Sequence, residues 1–272
     1  MPELPEVETT LRGIKPHAVG KVIQGIKIRE YSLRYRIPSH LKRTLKDTKI
    51  EGIARRAKYL IFKTSSGSFI LHLGMSGSLR IANSEMKPSK HDHVDIKLDN
   101  KKIIRFRDPR RFGLLLWVGD NPLEHRLLRN LGPEPLTKAF NGLYLHKKSR
   151  NRKISVKNFL MNSHIVAGIG NIYASEALFK AGIRPGLQSK RCSLRQYESL
   201  SLGIKKILKS AITSGGTSLR DFTNESGNPG YFKNKLHVYQ RHGMPCYVCG
   251  ETIKKKILGQ RSSFYCPSCQ SR

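Results

Sequence analysis

The stretch that decides the fold is "CYVCGETIKKKILGQRSSFYCPSC", residues 246–269. Cys246 and Cys249 form one CxxC pair, and Cys266 and Cys269 form a second after sixteen intervening residues. Four thiolates in two knuckles satisfy a tetrahedral zinc ion, and the segment between them has the length of a β-hairpin. Such a site has no open coordination position, so the ion is structural, and in small metal-dependent modules it contributes on the order of 10 kcal/mol to folding. The hairpin carries Lys254, Lys255, Lys256 and Arg261. That is a zinc ribbon with a basic face.

The rest of the chain shares that charge. Among 272 residues, Lys and Arg number 51 against 19 Asp and Glu, a net charge of +32. An excess of that size points to a polyanionic partner, most often nucleic acid. A membrane partner finds no support: there is no basic amphipathic helix or lipidation motif, and "LLLWV" at 114–118 is far too short to span a bilayer. The acidic start lacks the apolar core of a secretory signal, so the expected location is the cytoplasm and the cysteines are expected to bind metal rather than form disulfides.

Working back from the ribbon, residues 152–212 read as helical in three main segments, "KNFLMNSHIV", "NIYASEALFKAG" and "LRQYESLSLGIKKILKSAI". A Gly-, Ser- and Asn-rich stretch follows, a loop of a length that is usually functional or disordered, and then a short strand from 236. Between residues 19 and 120 lie six short β-rich runs: "KVIQGIKI", "YLIFKT", "SFILHLG", "HVDIKL", "KIIRFR" and "GLLLWVG". That spacing predicts a sandwich or barrel. A leading helix is expected over 5–14, where Val7, Leu11 and Ile14 share a face. "LGPEPL" at 131–136 marks a boundary.

Three further motifs carry chemistry, each with a plainer alternative. In "GIGNIYASEALFKAG" (168–182), two glycines precede a helix start, which makes a phosphate grip or merely close helix packing. "LHLGMSGSLR" (71–80) and "DPRRFG" (108–113) place Met75, Arg110 and Phe112 in turns. Arginine beside apolar wedges fills the gap left by an extruded base, although both apolar residues would equally suit a core. In "MPELPEVE" (1–8), removal of Met1 would leave Pro2 with a free secondary amine. Such an amine titrates near 8 and is a nucleophile that can form an iminium with a sugar carbon. Glu3 beside it would move protons, while Glu3, Glu6 and Glu8 together would also complement a helix start.

These motifs, with "RRAKYL", "KHDHVD", "GGTSLRDF" and "PGYF", occur in an order that closely resembles bacterial formamidopyrimidine-DNA glycosylase, also called 8-oxoguanine DNA glycosylase/AP lyase, over essentially the whole chain. The resemblance implies a bifunctional base-excision-repair enzyme acting on oxidised purines in damaged double-stranded DNA. Pro2 would attack C1′, Glu3 would serve as acid and base, Lys58 would assist β-elimination and Arg261 δ-elimination, leaving a gap with phosphates at both ends. It further implies DNA contacts from His91, Arg110, Lys153, Lys157 and Asn171, a void-filling set of Met75, Arg110 and Phe112, and Glu6 at the lesion pocket. Residues 215–232 match the loop that closes over the flipped base. Asn162 and His164 depart from the family pattern, where an acidic residue and a lysine are common. Cys192 has no assigned role.

The resulting expectation is an α+β multidomain chain. An N-terminal β-sandwich with a leading helix spans 1–133, a helix–two-turns–helix domain with the lesion loop spans 134–235, and a zinc ribbon holding one structural Zn(2+) spans 236–272. It is expected to be a monomer associated with the nucleoid through DNA. Two rivals remain: endonuclease VIII, which removes oxidised pyrimidines and fits the "MPELPE" opening less well, and an inert DNA-binding relative, which would lack Pro2 or Glu3.

Overall fold

The computed structural model describes residues 2–216 and 236–271, so the loop expected over 215–232 lies, from 217 onward, outside the described residues. The chain divides into two compact units, Met1–Arg129 with Ile212–Lys233, and Asn130–Ala211 with Asn234–Arg272.

The first unit opens with α1 (Leu4–Ala18), whose Val7, Leu11, Ile14 and Ala18 recur at helical spacing and are buried. Then come β1 (Val22–Ile28), the short α2 (Leu41–Leu45), β2 (Thr48–Arg56), β3 (Tyr59–Thr64), β4 (Gly67–His72), β5 (Ser78–Asn83), β6 (Asp92–Leu98), β7 (Lys102–Arg107) and β8 (Leu114–Gly119). All pair antiparallel in the order β5-β7-β6-β1-β2-β3-β4-β8. The β1–β2 junction is held by only two residue pairs, Val22 with Lys49 and Ile23 with Thr48, and there the ladder divides into two four-stranded layers. Their inner faces share one core, with Ile23, Val94, Ile96, Ile104 and Phe106 from one layer and Ile50, Leu60, Phe62, Phe69 and Leu115 from the other. This is the expected sandwich. Apolar side chains from both layers, alternating with polar ones in β2 and running nearly unbroken in β4 and β8, produce it.

A buried ion-pair network pins the first layer. Arg105, 1% exposed, donates from Nε and Nη2 to Asp95 at 2.8 and 2.9 Å and from Nη2 to the Met86 carbonyl at 2.9 Å. Burial opposes the Asp95 charge, but Arg105 and Arg29 outweigh it and hold the carboxyl below its usual range. Asp92 accepts the Ser89 N–H at 2.8 Å, so the segment before His91 is tied to β6 and β7 at both ends.

The second unit contains α3 (Gly142–Ser149), α4 (Val156–Met161), α5 (Asn171–Lys180), most of α6 (Leu194–Thr213), and the hairpin β9 (Lys254–Leu258) and β10 (Arg261–Tyr265). The cysteine segment shares a core with α5, where Phe179 meets Val238, Ile253, Phe264 and Cys266. One expectation needs correction. No strand forms at 236–240, because the Glu176 carboxylate takes the N–H groups of His237, Val238 and Tyr239 at 2.8, 2.9 and 2.8 Å. Glu176 is 3% exposed, so this carboxylate replaces a β-partner.

Replacing Arg105 with Leu leaves Asp92 and Asp95 buried without their main cation. We expect about 3 kcal/mol of destabilisation, read as a lower urea midpoint with an unchanged m-value.

Candidate active site and metal centre

Strand register gathers distant segments of the first unit at one rim of the sandwich. Tyr59 pairs with His72 and His72 with Leu114, while Arg107 pairs with both Ser78 and Asp92. The connections leaving these pairs are the β2–β3 turn with Lys58, the 73–77 loop with Met75, the approach to β6 with His91, and the 108–113 loop with Arg110 and Phe112. Phe112 is 44% exposed and lies under the Arg110 guanidinium, 5.0 Å from ring centre to Cζ. An ordinary core residue would be covered. Phe112 is therefore not a core residue, and Met75, in the 73–77 loop whose Gly74 meets the Phe112–Gly113 backbone, is half-buried.

One buried carboxylate links these loops. Asp108, 0% exposed, accepts the Ser76 hydroxyl at 3.1 Å on Oδ1 and the Gly113 N–H at 2.7 Å on Oδ2. Its backbone N–H donates to the His91 carbonyl at 3.0 Å, and its carbonyl lies 2.9 Å from His93 Nε2. The Arg110 N–H reaches the Ser76 hydroxyl at 3.3 Å. Gly74 (φ +68°) completes the contact, since a Cβ there would stand 2.5 Å from the Phe112 carbonyl carbon and the Gly113 nitrogen. His72 Nδ1 accepts the Gly74 N–H at 2.9 Å. Burial first, then the charges of Lys58 and Arg34, push its pKa down to about 3, so the imidazole is neutral and remains an acceptor.

The acidic opening resolves into three separate contacts. Glu3 is the N-cap of α1, and its N–H donates to the Glu6 carboxylate at 2.8 Å, with both residues 1% exposed. Pro2 precedes them and is buried. Glu8 receives Arg55 Nε at 2.8 Å and Arg12 Nε at 3.1 Å. Burial works against its charge, yet the two guanidinium groups lower its pKa. Arg55 also donates to the Ala57 carbonyl at 3.0 Å, so Glu8 ties α1 to the turn that carries Lys58. Ala57 holds φ +53° in that turn, a left-handed conformation that an L-residue keeps only under such constraint.

In the second unit, Sγ of Cys249 lies 3.4 Å from those of Cys266 and Cys269, and Cys246 Sγ lies 3.9 Å from that of Cys269. All four lie within 4.8 Å of one another. Zn–S bonds of about 2.3 Å put tetrahedral vertices roughly 3.8 Å apart, whereas a disulfide needs about 2.05 Å. The set fits one zinc ion. The N–H groups of Val248 and Cys269 point at Cys246 and Cys266 sulfur at 3.4 Å each, as thiolates favour. The hairpin closes through Gly259 and Gln260, at φ +53° and +60°, which is a two-residue turn of the I′ type. Arg261 follows at once and is exposed.

Sequence models of three domain families match in order. Residues 1–115 match the formamidopyrimidine-DNA glycosylase N-terminal domain, 131–223 its H2TH domain, and 243–272 the zinc finger found in FPG and IleRS. A formamidopyrimidine-DNA glycosylase of Methylococcus capsulatus is 52% identical over 270 residues, covering 99% of this chain and 100% of that protein. The chain belongs to the formamidopyrimidine-DNA glycosylase family. It is a DNA glycosylase with AP-lyase activity and a zinc finger. Among solved structures, the Lactococcus lactis Fpg bound to DNA with an abasic site has a TM-score of 0.92 and 33% identity, covering 99% of this chain and 100% of that one. The wild-type L. lactis enzyme with DNA containing N7-benzyl-Fapy-dG also reaches 0.92, at 34% identity and full coverage of both chains.

Of the residues singled out from sequence, Pro2, Glu3, Glu6, Lys58, Met75, His91, Arg110 and Phe112 lie in the first unit. Lys153, Lys157, Asn171, Arg261 and the cysteines Cys246, Cys249, Cys266 and Cys269 lie in the second. Lys153 is exposed, whereas Lys157 is fully buried. Asn162 Oδ1 accepts the His164 N–H at 2.9 Å and His164 Nδ1 lies 2.7 Å from the Asn130 carbonyl, so the two departures from the family pattern close a local turn. Sequence reasoning missed Asp108, Glu176 and Arg55. The aspartate of "DPRRFG" signalled only a turn, and neither of the others stands out by residue type.

Asp108→Ala should leave the Gly113 N–H and Ser76 hydroxyl without their acceptor, costing about 1–3 kcal/mol per buried group. We expect a lower thermal midpoint together with at least tenfold weaker binding to lesion-containing duplex in titrations. Cys266→Ala should purify without its zinc, measured by atomic absorption, and bind duplex DNA more weakly.

Proposed function

We propose that this enzyme removes oxidised purines, 8-oxoguanine and formamidopyrimidines, from duplex DNA and then cuts the strand by β,δ-elimination, with Pro2 as nucleophile. The observation that carries the reading is the buried Pro2–Glu3 pair at the head of α1, where the Glu3 N–H is capped by Glu6 at 2.8 Å. A nucleophile and a carboxyl one residue apart, on a helix start rather than a mobile end, have the fixed geometry that proton-coupled attack requires.

With Met1 removed, the Pro2 nitrogen bonds to C1′ as the C1′–N9 bond breaks and the base leaves with a proton. Opening of the sugar gives an iminium. Loss of the C2′ proton then expels the 3′ phosphate, and loss of the C4′ proton expels the 5′ phosphate. Water releases the remaining sugar fragment and regenerates the amine. In this scheme Glu3 relays protons at the sugar, Lys58 serves the first elimination and Arg261 the second, while Glu6 faces the lesion. Met75, Arg110 and Phe112 occupy the space the base vacates. Their common rim, the exposure of Phe112 and its stacking under Arg110 support this. His91 and Lys153 contact the DNA backbone in the same reading, and a net charge of +32 favours residence on chromosomal DNA in the cytoplasm.

Borohydride reduction tests the nucleophile. Unaltered enzyme should crosslink to 8-oxoguanine:C duplex, and Pro2→Gly should lose most of the adduct, seen as a shifted band on denaturing gels. Equal trapping by both proteins would remove Pro2 from the scheme, and faster cleavage of thymine glycol:A than of 8-oxoguanine:C would reassign the lesion to oxidised pyrimidines.

A further inference from the structure

Lys157 is a fully buried lysine on α4, a helix of only six residues. A buried ammonium is tolerated where acceptors surround it. Its Nζ donates to the Ser262 carbonyl at 2.9 Å and to the Ser263 hydroxyl at 2.7 Å. Asn171, the first residue of α5, donates from Nδ2 to the same Ser262 carbonyl at 3.1 Å. Asn158, next to Lys157, lies against the hairpin tip: a Cβ on Gly259 would sit 2.5 Å from its Nδ2. Three side chains from two helices thus converge on the hairpin at Gly259, Ser262 and Ser263, on either side of Arg261. The Arg261 side chain is exposed although the carbonyl of the next residue is gripped.

A two-stranded hairpin is marginal by itself and moves readily, and zinc fixes this one at the knuckles, away from its tip. We infer that Lys157, assisted by Asn171, is a positioning residue for Arg261: it holds the Ser262 peptide so that the guanidinium is presented in one place, and it thereby governs how often strand cleavage proceeds past the first elimination. The role acts through Arg261 and replaces the direct DNA contact expected for Lys157 from sequence. It rests on the β,δ-elimination reading above.

The test uses the full-length, zinc-loaded enzyme on an end-labelled abasic duplex, resolving β-eliminated from β,δ-eliminated product. In Lys157→Met the share completing the second elimination should fall at least threefold, approaching that of Arg261→Ala. The double variant should fall no further than Arg261→Ala alone, as two residues acting in series require. The dependence of duplex affinity on salt should keep its slope. An unchanged δ share overturns the proposal. So does a salt slope smaller by about one, with additive losses in the double variant, because a phosphate contact by Lys157 itself predicts that pattern. If Lys157→Met fails to retain zinc, Ser263→Ala is read in its place, and an unchanged δ share there is equally fatal. Should the unaltered enzyme itself stop at the first elimination, the β,δ reading fails; if it completes both and Lys157→Met does so equally, only the present inference fails.

Discussion

Scarcity of acid is the constraint on which this structure depends. With 51 cationic side chains and 19 carboxylates, the molecule presents positive charge widely, and its few buried anions become fixed points for the backbone around them. Asp108 joins the 73–77 and 108–113 loops through its carboxylate and His91 through its main chain. Asp92 and Asp95 hold the segment before His91 through Arg105 and Ser89. Glu8 joins α1 to the Lys58 turn through Arg55. Each of these anions has an arginine or backbone N–H partner inside the protein, which matters doubly here, since an uncompensated carboxylate near a DNA-binding face would repel phosphate.

The two units solve the same problem by different means. In the first, antiparallel register delivers four connections to one rim; the Asp108 carboxylate and main chain lock three of them together, and Glu8 holds the fourth through Arg55. In the second, there is too little sheet to impose register. The hairpin instead relies on four sulfurs at one end and on Lys157, Asn158 and Asn171 at the other. Glu176 adds a third restraint by occupying three successive N–H groups in the segment leading to the first knuckle.

Much of this was legible in the sequence because it depends on local pattern. The apolar spacing of Val7, Leu11 and Ile14, the six β-rich runs and the paired cysteines each report their own structure. β2 and β5 were not legible: "TKIEGIARR" and "SLRIAN" mix glycine, charge and short apolar intervals, and only their neighbours make them strands. The missing strand after 236 has the opposite cause, an extended-looking segment whose hydrogen bonds go to a glutamate sixty residues earlier. Burial of a charged side chain is equally invisible in the sequence. The family resemblance implies a DNA contact for Lys157, and only the structure shows its Nζ donating to a serine carbonyl and hydroxyl.

The opening acids follow from the same logic. A chain end has a neighbour on one side only, so neither sheet nor loop can hold it firmly. A helix cap can, because the orphan N–H groups of the first turn demand acceptors in a fixed geometry. Glu6 supplies that acceptor to Glu3, and Glu8 anchors the same turn to β2 through Arg55. In the proposed chemistry the reacting nitrogen is the residue just before this cap. Placing it one residue outside a capped helix, rather than on a free tail, converts a terminal amine into a group with a defined direction, which is the condition for its attack on a single sugar carbon.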